Sequence, residues 1–172
     1  MKRLLMICFT VLLLCQATAF AKHNMPEEEF CIGGLTPGCT FEYVKSIYGE
    51  PSKKDWKLVN HPRAVDYYLY YDYDSTLFVR GISVGNSAEA ELNATVMDIV
   101  LTDNSLSTPS GITVGMPYQA VVAMFGEGFK RTHNGKTRYG YGRGNGRGAY
   151  SMGFDVDNAG IITQIGIYNG AQ

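Results

Sequence analysis

Two short stretches of the chain carry hydrophobic side chains at helical spacing, and longer stretches alternate hydrophobic and polar positions as strands do. Each predicted helix has about two turns, which is too few to be stable alone. Its hydrophobic side must therefore pack against other parts of the chain. The residues on these two sides are Phe41, Val44, Ile47 and Tyr48, and then Tyr118, Val121, Met124 and Phe125.

Both predicted helices carry signals at their ends. Thr40 can accept a hydrogen bond from a free amide of the first turn, and Pro117 stands at the matching place, where a missing N–H costs little. Gly49 and Gly126 can adopt the left-handed conformation that closes a helix. We therefore expect the helices to end at these glycines.

The two helical stretches belong to longer segments, residues 34–51 and 111–128, that align without a gap. The identical pairs in this alignment are Gly34/Gly111, Thr36/Thr113, Gly38/Gly115, Val44/Val121, Gly49/Gly126 and Glu50/Glu127. We interpret the chain as one unit used twice, with a first repeat in residues 34–103 and a second in residues 111–169.

The segment 66–74 is rich in tyrosine and alternates as a strand does, and aromatic residues favour sheets. The set without charge should face the helices, because carboxylates are costly to bury without partners. Tyr68 and Tyr70 should then face outward. The two sets are Tyr67, Leu69, Tyr71 and Tyr73, and then Asp66, Tyr68, Tyr70, Asp72 and Asp74.

Further strands are predicted at residues 77–84, 95–101, 138–141, 150–156 and 161–168. Two units, each with a short helix or helix pair and about three to four antiparallel strands, predict an α+β fold, a two-layer sandwich with the helices on one sheet face. The other face would remain open to water, as antiparallel sheets allow. An exposed aromatic face of this kind usually marks a binding site.

Residues 1–21 have the pattern of a signal peptide, with a basic start, an apolar run and a cleavage site at Ala19-Phe-Ala21. Cys15 raises the alternative of a lipoprotein. The residue before a lipid-modified cysteine is usually small and Leu14 is not, so cleavage after Ala21 is favoured. The mature protein would be exported to the periplasm or the medium of a bacterium. It would have a polar N-terminal arm in residues 22–33 and no membrane span.

Cys31 and Cys39 are the cysteines that remain after cleavage. An even pair in an exported chain favours a disulfide, which would act as a stabilising clip before the first helix. The formal net charge of the whole chain is −1. Such a charge provides no electrostatic attraction for nucleic acid, and we expect no nucleic-acid partner.

No spacing in the sequence specifies catalysis, a metal site or a cofactor. The histidines are scattered without the spacing of metal ligands, and no nucleophile is paired with a base. The residues available to a hydrolase are Asp66, Asp72, Asp74, His61 and His133. Their spacing defines no acid–base geometry, so we expect a protein that is not an enzyme and uses no cofactor or metal.

The second repeat carries the motifs of a known module. Gly111-Ile-Thr-Val-Gly-Met116, a helix ending in Phe125-Gly126 and the strand end at Phe154-Asp-Val-Asp157 resemble the SmpA/OmlA (BamE-like) module of bacterial envelope proteins. The tandem arrangement resembles the beta-lactamase inhibitory protein-like fold, which implies helices on one side and a concave sheet that binds a partner protein. The first repeat departs from the motif at Cys39, where Met is usual. No inhibitor contact carries over, so beta-lactamase inhibition is not implied.

These patterns predict an exported, non-catalytic module that binds a protein or a cell-envelope component through a tyrosine-rich sheet face. Arg143 and Arg147 belong to a glycine-rich run that is interpreted as a hairpin tip, with the alternative that both arginines and the backbone amides contact an anionic ligand. The alternatives are an inhibitor of a secreted or periplasmic enzyme, a hydrolase that uses Asp and His on the sheet, and a structural envelope module. The expected partner-binding residues are Tyr68, Tyr70, Asp72, Tyr141, Arg143 and Arg147. The partner and the oligomeric state stay open.

Overall fold

The computed structural model describes residues 25–61, 64–84, 90–133, 135–143 and 149–169. The predicted signal peptide, with Cys15, lies outside these residues, as does the first part of the predicted arm. Within the described ranges, no helix has the length and hydrophobicity needed to cross a membrane.

In the described part of the chain, eight antiparallel strands form one sheet in the order β1-β2-β3-β4-β8-β7-β6-β5. The strands are β1 (Lys53–His61), β2 (Ala64–Tyr73), β3 (Leu77–Val84), β4 (Thr95–Leu101), β5 (Phe129–His133), β6 (Lys136–Arg143), β7 (Tyr150–Val156) and β8 (Ile162–Asn169). The helices are α1 (Phe41–Tyr48), α2 (Ala90–Asn93) and α3 (Tyr118–Phe125), with a short 3-10 turn at Glu27–Glu29.

The expected α+β sandwich of two tandem helix-and-strand units is wrong. The fold is a single, mostly β sheet, and its longest described helices have 8 residues each, too few to form a layer. Sequence reasoning missed β1 and β5, which lie at the two ends of the sheet. Residues 53–58 of β1 are all exposed, so this strand lacks the alternation of buried and exposed positions that reveals a strand with one face in the core.

One continuous ladder joins the first four strands to the last four. β4 pairs with β8, with Ile99 opposite Ile167 and Leu101 opposite Ile165. All four of these side chains are fully buried. The centre of the hydrophobic core therefore lies at this junction, which makes the eight strands one sheet. The strands predicted at residues 77–84, 95–101 and 150–156 are confirmed.

The ends of both longer helices follow the predicted signals. The Tyr43 amide donates to the Thr40 hydroxyl at 3.1 Å, and the closing residues Gly49 and Gly126 have φ angles of 76° and 77°. The hydrophobic sides are only partly as expected. The buried helix residues are Phe41, Val44, Tyr118 and Val121, whereas Ile47 and Met124 are exposed. The first turn of each short helix therefore supplies its fully buried side chains.

The two predicted faces of β2 are confirmed at its centre. Leu69 and Tyr71 are buried, and Tyr73 packs against the core from the same side. The Tyr71 ring meets Phe41 of α1 edge-on, with ring centroids 4.7 Å apart. Tyr68 and Tyr70 alternate with these residues and lie on the opposite face.

Cys31 and Cys39 are both free thiols and partly buried. Burial raises the pKa of the Cys39 thiol, and the neighbouring Cys31 raises it further. The two sulfurs therefore lie in one neighbourhood, and the disulfide stays a prediction for the exported protein.

Candidate functional site

Side chains of all three described helices contact the same face of the sheet. Phe41 of α1 and Glu91 of α2 both contact Tyr71. Tyr118 of α3 stacks on Tyr139 with ring centroids 4.0 Å apart. We call this the inner face and the opposite side the outer face.

On the outer face of β1–β4, side chains form rows that cross the strands. One row contains Asp55, Tyr70, Arg80 and Asp98, and the next contains Lys53, Asp72, Phe78 and Val100. A groove of about 470 Å³ is lined by these two rows together with Tyr71 and Val79. We call it the tyrosine groove. It combines aromatic rings with charges of both signs.

Arg80 and Asp98 form an ion pair in this groove. They lie opposite each other on β3 and β4, and the Arg80 Nη2 group contacts Asp98 Oδ2. The second carboxylate oxygen accepts a hydrogen bond of 3.1 Å from the Asn169 amide. The Arg80 guanidinium lies 5.9 Å from the Tyr68 ring centre. Its Nε is buried, and no described residue accepts a hydrogen bond from it. One donor in the groove wall is therefore unused within the described part of the chain.

Burial dominates the electrostatics of Asp98. Removal from water raises the pKa of this carboxyl group, although Arg80 and the Asn169 amide both act to lower it. The Asp98 side chain is 10% exposed, so its charge depends on those two partners.

The outer face of β6–β8 carries a similar pair in a different setting. Arg138 and Asp155 lie opposite each other, with Nε–Oδ1 and Nη2–Oδ2 distances of 2.5 Å and 2.9 Å. The Arg138 guanidinium lies 5.0 Å from the centre of the Tyr168 ring. Gln164 donates to the Tyr168 hydroxyl at 3.2 Å. This bidentate pair satisfies both carboxylate oxygens of Asp155.

Glycines make room for that arrangement. The row that contains Phe78 and Val100 continues across the sheet. Its next members form the glycine row, which consists of Gly166, Gly153 and Gly140. A Cβ atom at Gly166 would collide with the Tyr168 ring, and one at Gly153 would lie 3.0 Å from Arg138 Cδ. Arg138 therefore lies across the backbone of Gly153, and Tyr168 lies across that of Gly166.

The structure separates the predicted binding residues into three groups. Tyr68, Tyr70 and Asp72 lie together on the outer face of β2. Tyr141 does not belong to this surface, because it points to the inner face and is 3% exposed. Its hydroxyl donates to the Gly126 carbonyl at 2.6 Å, which makes it a core residue. The Arg143 side chain and Arg147 lie outside the described residues.

Of the ten residues that line the groove, sequence reasoning named only Tyr70 and Asp72 as binding residues. Phe78, Arg80, Asp98 and Val100 are contributed by β3 and β4. Alternation along β3 puts Phe78 and Arg80 on one face, and that signal was present in the sequence. The pairing of β2 with β3 brings them beside Tyr70, and single-strand patterns do not reveal pairing.

Of the residues suggested for a hydrolase, the structure describes the side chains of Asp66, Asp72 and Asp74, which lie in or just after β2. Asp72 lines the groove, where its Oδ1 accepts a 2.7 Å hydrogen bond from the Ser75 amide. Asp74 lies in the turn after β2 with a φ of 54°. The side chains of His61 and His133 lie outside the described part of the structure. Among the described residues, no group of three His, Cys, Asp or Glu side chains could hold a metal ion.

Comparisons of the chain with protein-family models, with curated proteins and with solved structures found no match.

Proposed function

We propose that the protein is an exported, non-catalytic binding module whose tyrosine groove takes up part of a partner protein. The observation that supports this proposal is the groove itself, about 470 Å³ on the sheet face opposite the one that Phe41, Glu91 and Tyr118 contact. Tyr70, Phe78 and Arg80 line it side by side. Aromatic and arginine side chains supply most of the binding energy in protein interfaces.

The proposed partner carries an exposed hydrophobic side chain next to Lys or Arg. Phe78 is 37% exposed and offers a hydrophobic contact, while Tyr70 adds a large ring with a hydroxyl group. Arg80 is already neutralised by Asp98, which leaves Lys53, Asp55 and Asp72 to set the charge of the groove near β1. Two carboxylates against one ammonium favour a basic partner.

Replacement of the outward tyrosines tests the proposal. The partner is first captured from a bacterial envelope extract with the processed protein and is then titrated against variants. Tyr68→Ala combined with Tyr70→Ala should weaken its binding at least about tenfold, or about 1.4 kcal/mol. The melting temperature should change by only a few degrees, because both side chains lie outside the core.

Tyr43→Ala is the matched control, since Tyr43 is a tyrosine of α1 on the other side of the sheet and is 46% exposed. This variant should bind normally. Equal affinity of the double variant and the unaltered protein would refute the groove as the binding site.

A further inference from the structure

The edge of β1 that does not face β2 has charges that can pair with those of a second, antiparallel copy of the same strand. Among the described strands, β1 is the first of the sheet and pairs with β2 alone. An edge strand offers unpaired backbone donors and acceptors to another strand. Residues 53–58 are exposed, and Trp56 and Leu58 retain 38% and 50% exposure. Such hydrophobic exposure on a nine-residue edge indicates a surface for pairing.

The charges that flank Trp56 are arranged on a single face. Asp55 and Lys57 lie opposite Tyr70 and Tyr68, on the outer face of the sheet. Trp56 and Leu58 lie opposite Leu69 and Tyr67, on the inner face. Opposite charges therefore lie at equal distances along the strand from Trp56, one on each side.

We propose that two copies of the chain pair through β1, antiparallel and centred on Trp56, to form one continuous sheet. A twofold axis perpendicular to the sheet keeps the outer faces of both copies on the same side. In this register Trp56 meets Trp56 of the second copy. Asp55 lies opposite Lys57 of the second copy, and the symmetry makes this ion pair twice.

Charge selects this register over its neighbours. A pairing centred on Asp55 places two carboxylates opposite each other, and one centred on Lys57 places two ammonium groups opposite each other. Like charges directly opposite are destabilising in a sheet. On the inner face, Lys54 would lie opposite Leu58 of the second copy and could cover it with its aliphatic stem.

Dimerisation would replace one hydrogen bond of the monomer, that of the Trp56 amide, by a bond to the second copy. The Trp56 amide donates to the Asp55 carboxylate at 2.8 Å, and in the dimer this carboxylate would turn to Lys57 of the second copy. The Trp56 amide would then bond to the facing strand. Because the interface is one strand pair, we expect a weak dimer with a dissociation constant of about 0.1 mM. This inference concerns the sheet edge. Asp55 also lines the tyrosine groove, so its variants are judged by association and not by partner binding.

Charge reversal tests the register directly. Asp55→Lys places two ammonium groups opposite each other, and Lys57→Asp places two carboxylates together, so each single variant should dimerise at least about tenfold more weakly. The double variant restores opposite charges and should recover the original affinity. A mixture of the two single variants should form a heterodimer, because each then supplies the charge that the other lacks.

Two readouts report on the same transition. Sedimentation equilibrium of the processed protein gives the mass, and the emission of Trp56, the single tryptophan of the chain, reports on the interface itself. Trp56 emission should shift to shorter wavelength over the concentration range in which the mass doubles. Lys130→Glu on the opposite edge, β5, is the control and should leave dimerisation unchanged.

The proposal is overturned by a monomer at all concentrations up to about 1 mM. It is equally overturned if the single reversals dimerise as well as the unaltered chain, or if the double variant fails to recover. A loss of dimer with Lys130→Glu would place β5 in the interface and exclude pairing of β1 with itself. Melting curves of all variants show that these results reflect association and not unfolding.

Discussion

The outer face has two halves, formed by β1–β4 and by β5–β8. Both contain the same kinds of residue, but their side chains pack differently. In the first half, Arg80 pairs with Asp98 beside Tyr68, and in the second, Arg138 pairs with Asp155 beside Tyr168. The second half has glycines along the central row, and its arginine and tyrosine lie across them. The first half has Phe78 and Val100 in that row, and a groove remains between the side chains.

This difference shows that composition alone does not define a binding surface. A tyrosine, an arginine and an aspartate close the sheet where glycines give them room to lie across the backbone. The same residues beside larger side chains leave open space. The first half, where the groove lies, is therefore the candidate site.

Replacement of the arginine in each half should give the largest difference in stability between the two halves. Arg138→Met leaves Asp155, whose side chain is 10% exposed, without either of its two hydrogen bonds from Arg138. We expect it to destabilise the protein by about 2–3 kcal/mol, less than for a fully buried pair because Arg138 itself is partly exposed. Arg80→Met should destabilise it by only about 1 kcal/mol, since Asp98 keeps the Asn169 amide.

Urea unfolding of both variants measures these differences. Since the pKa of Asp98 is already raised by burial, this carboxyl group also takes up a proton more readily when Arg80 is lost. If Arg80→Met is the more destabilising of the two, the first half has the tighter structural pair and the comparison is reversed.

A smaller effect is expected from methyl groups placed on the glycine row. At Gly166 an added Cβ would displace the Tyr168 ring, whereas at Gly142, also in the second half of the sheet, no atom lies within 4 Å of it. Gly166→Ala should destabilise the protein by about 1–2 kcal/mol, as overpacking does. Gly142→Ala should be neutral or slightly stabilising, because glycine weakens a strand. Equal thermal stability of the two variants would contradict the packing of Tyr168 across Gly166.

The sequence predicted local features well where one chain segment contained the whole signal. Thr40, Gly49 and Gly126 mark helix ends through their own chemistry, and the alternation in residues 66–74 revealed the two faces of β2. The single sheet was not predicted, because the described side chains of the edge strands β1 and β5 include no buried ones to produce a pattern. Tyr141 was wrongly predicted as a binding residue. Its hydroxyl bonds to Gly126, which is distant in sequence, and the pattern of a single strand does not reveal such a contact.

Only two of the ten residues that line the groove were predicted, for a physical reason of the same kind. Tyr70 and Asp72 come from one strand, whereas Arg80 and Asp98 join them through strand pairing. A site formed by several strands depends on register, and register depends on the complete sheet.

Photo-crosslinking from matched positions on the outer face tests the central claim most directly. A benzophenone side chain replaces Phe78 in the tyrosine groove or Gln164 in the second half, and the processed protein is irradiated in a bacterial envelope extract. We predict a protein adduct from position 78 that excess unaltered protein suppresses, with no such adduct from position 164. Adducts of equal yield from both positions, or from position 164 alone, would contradict the assignment of the first half as the binding surface.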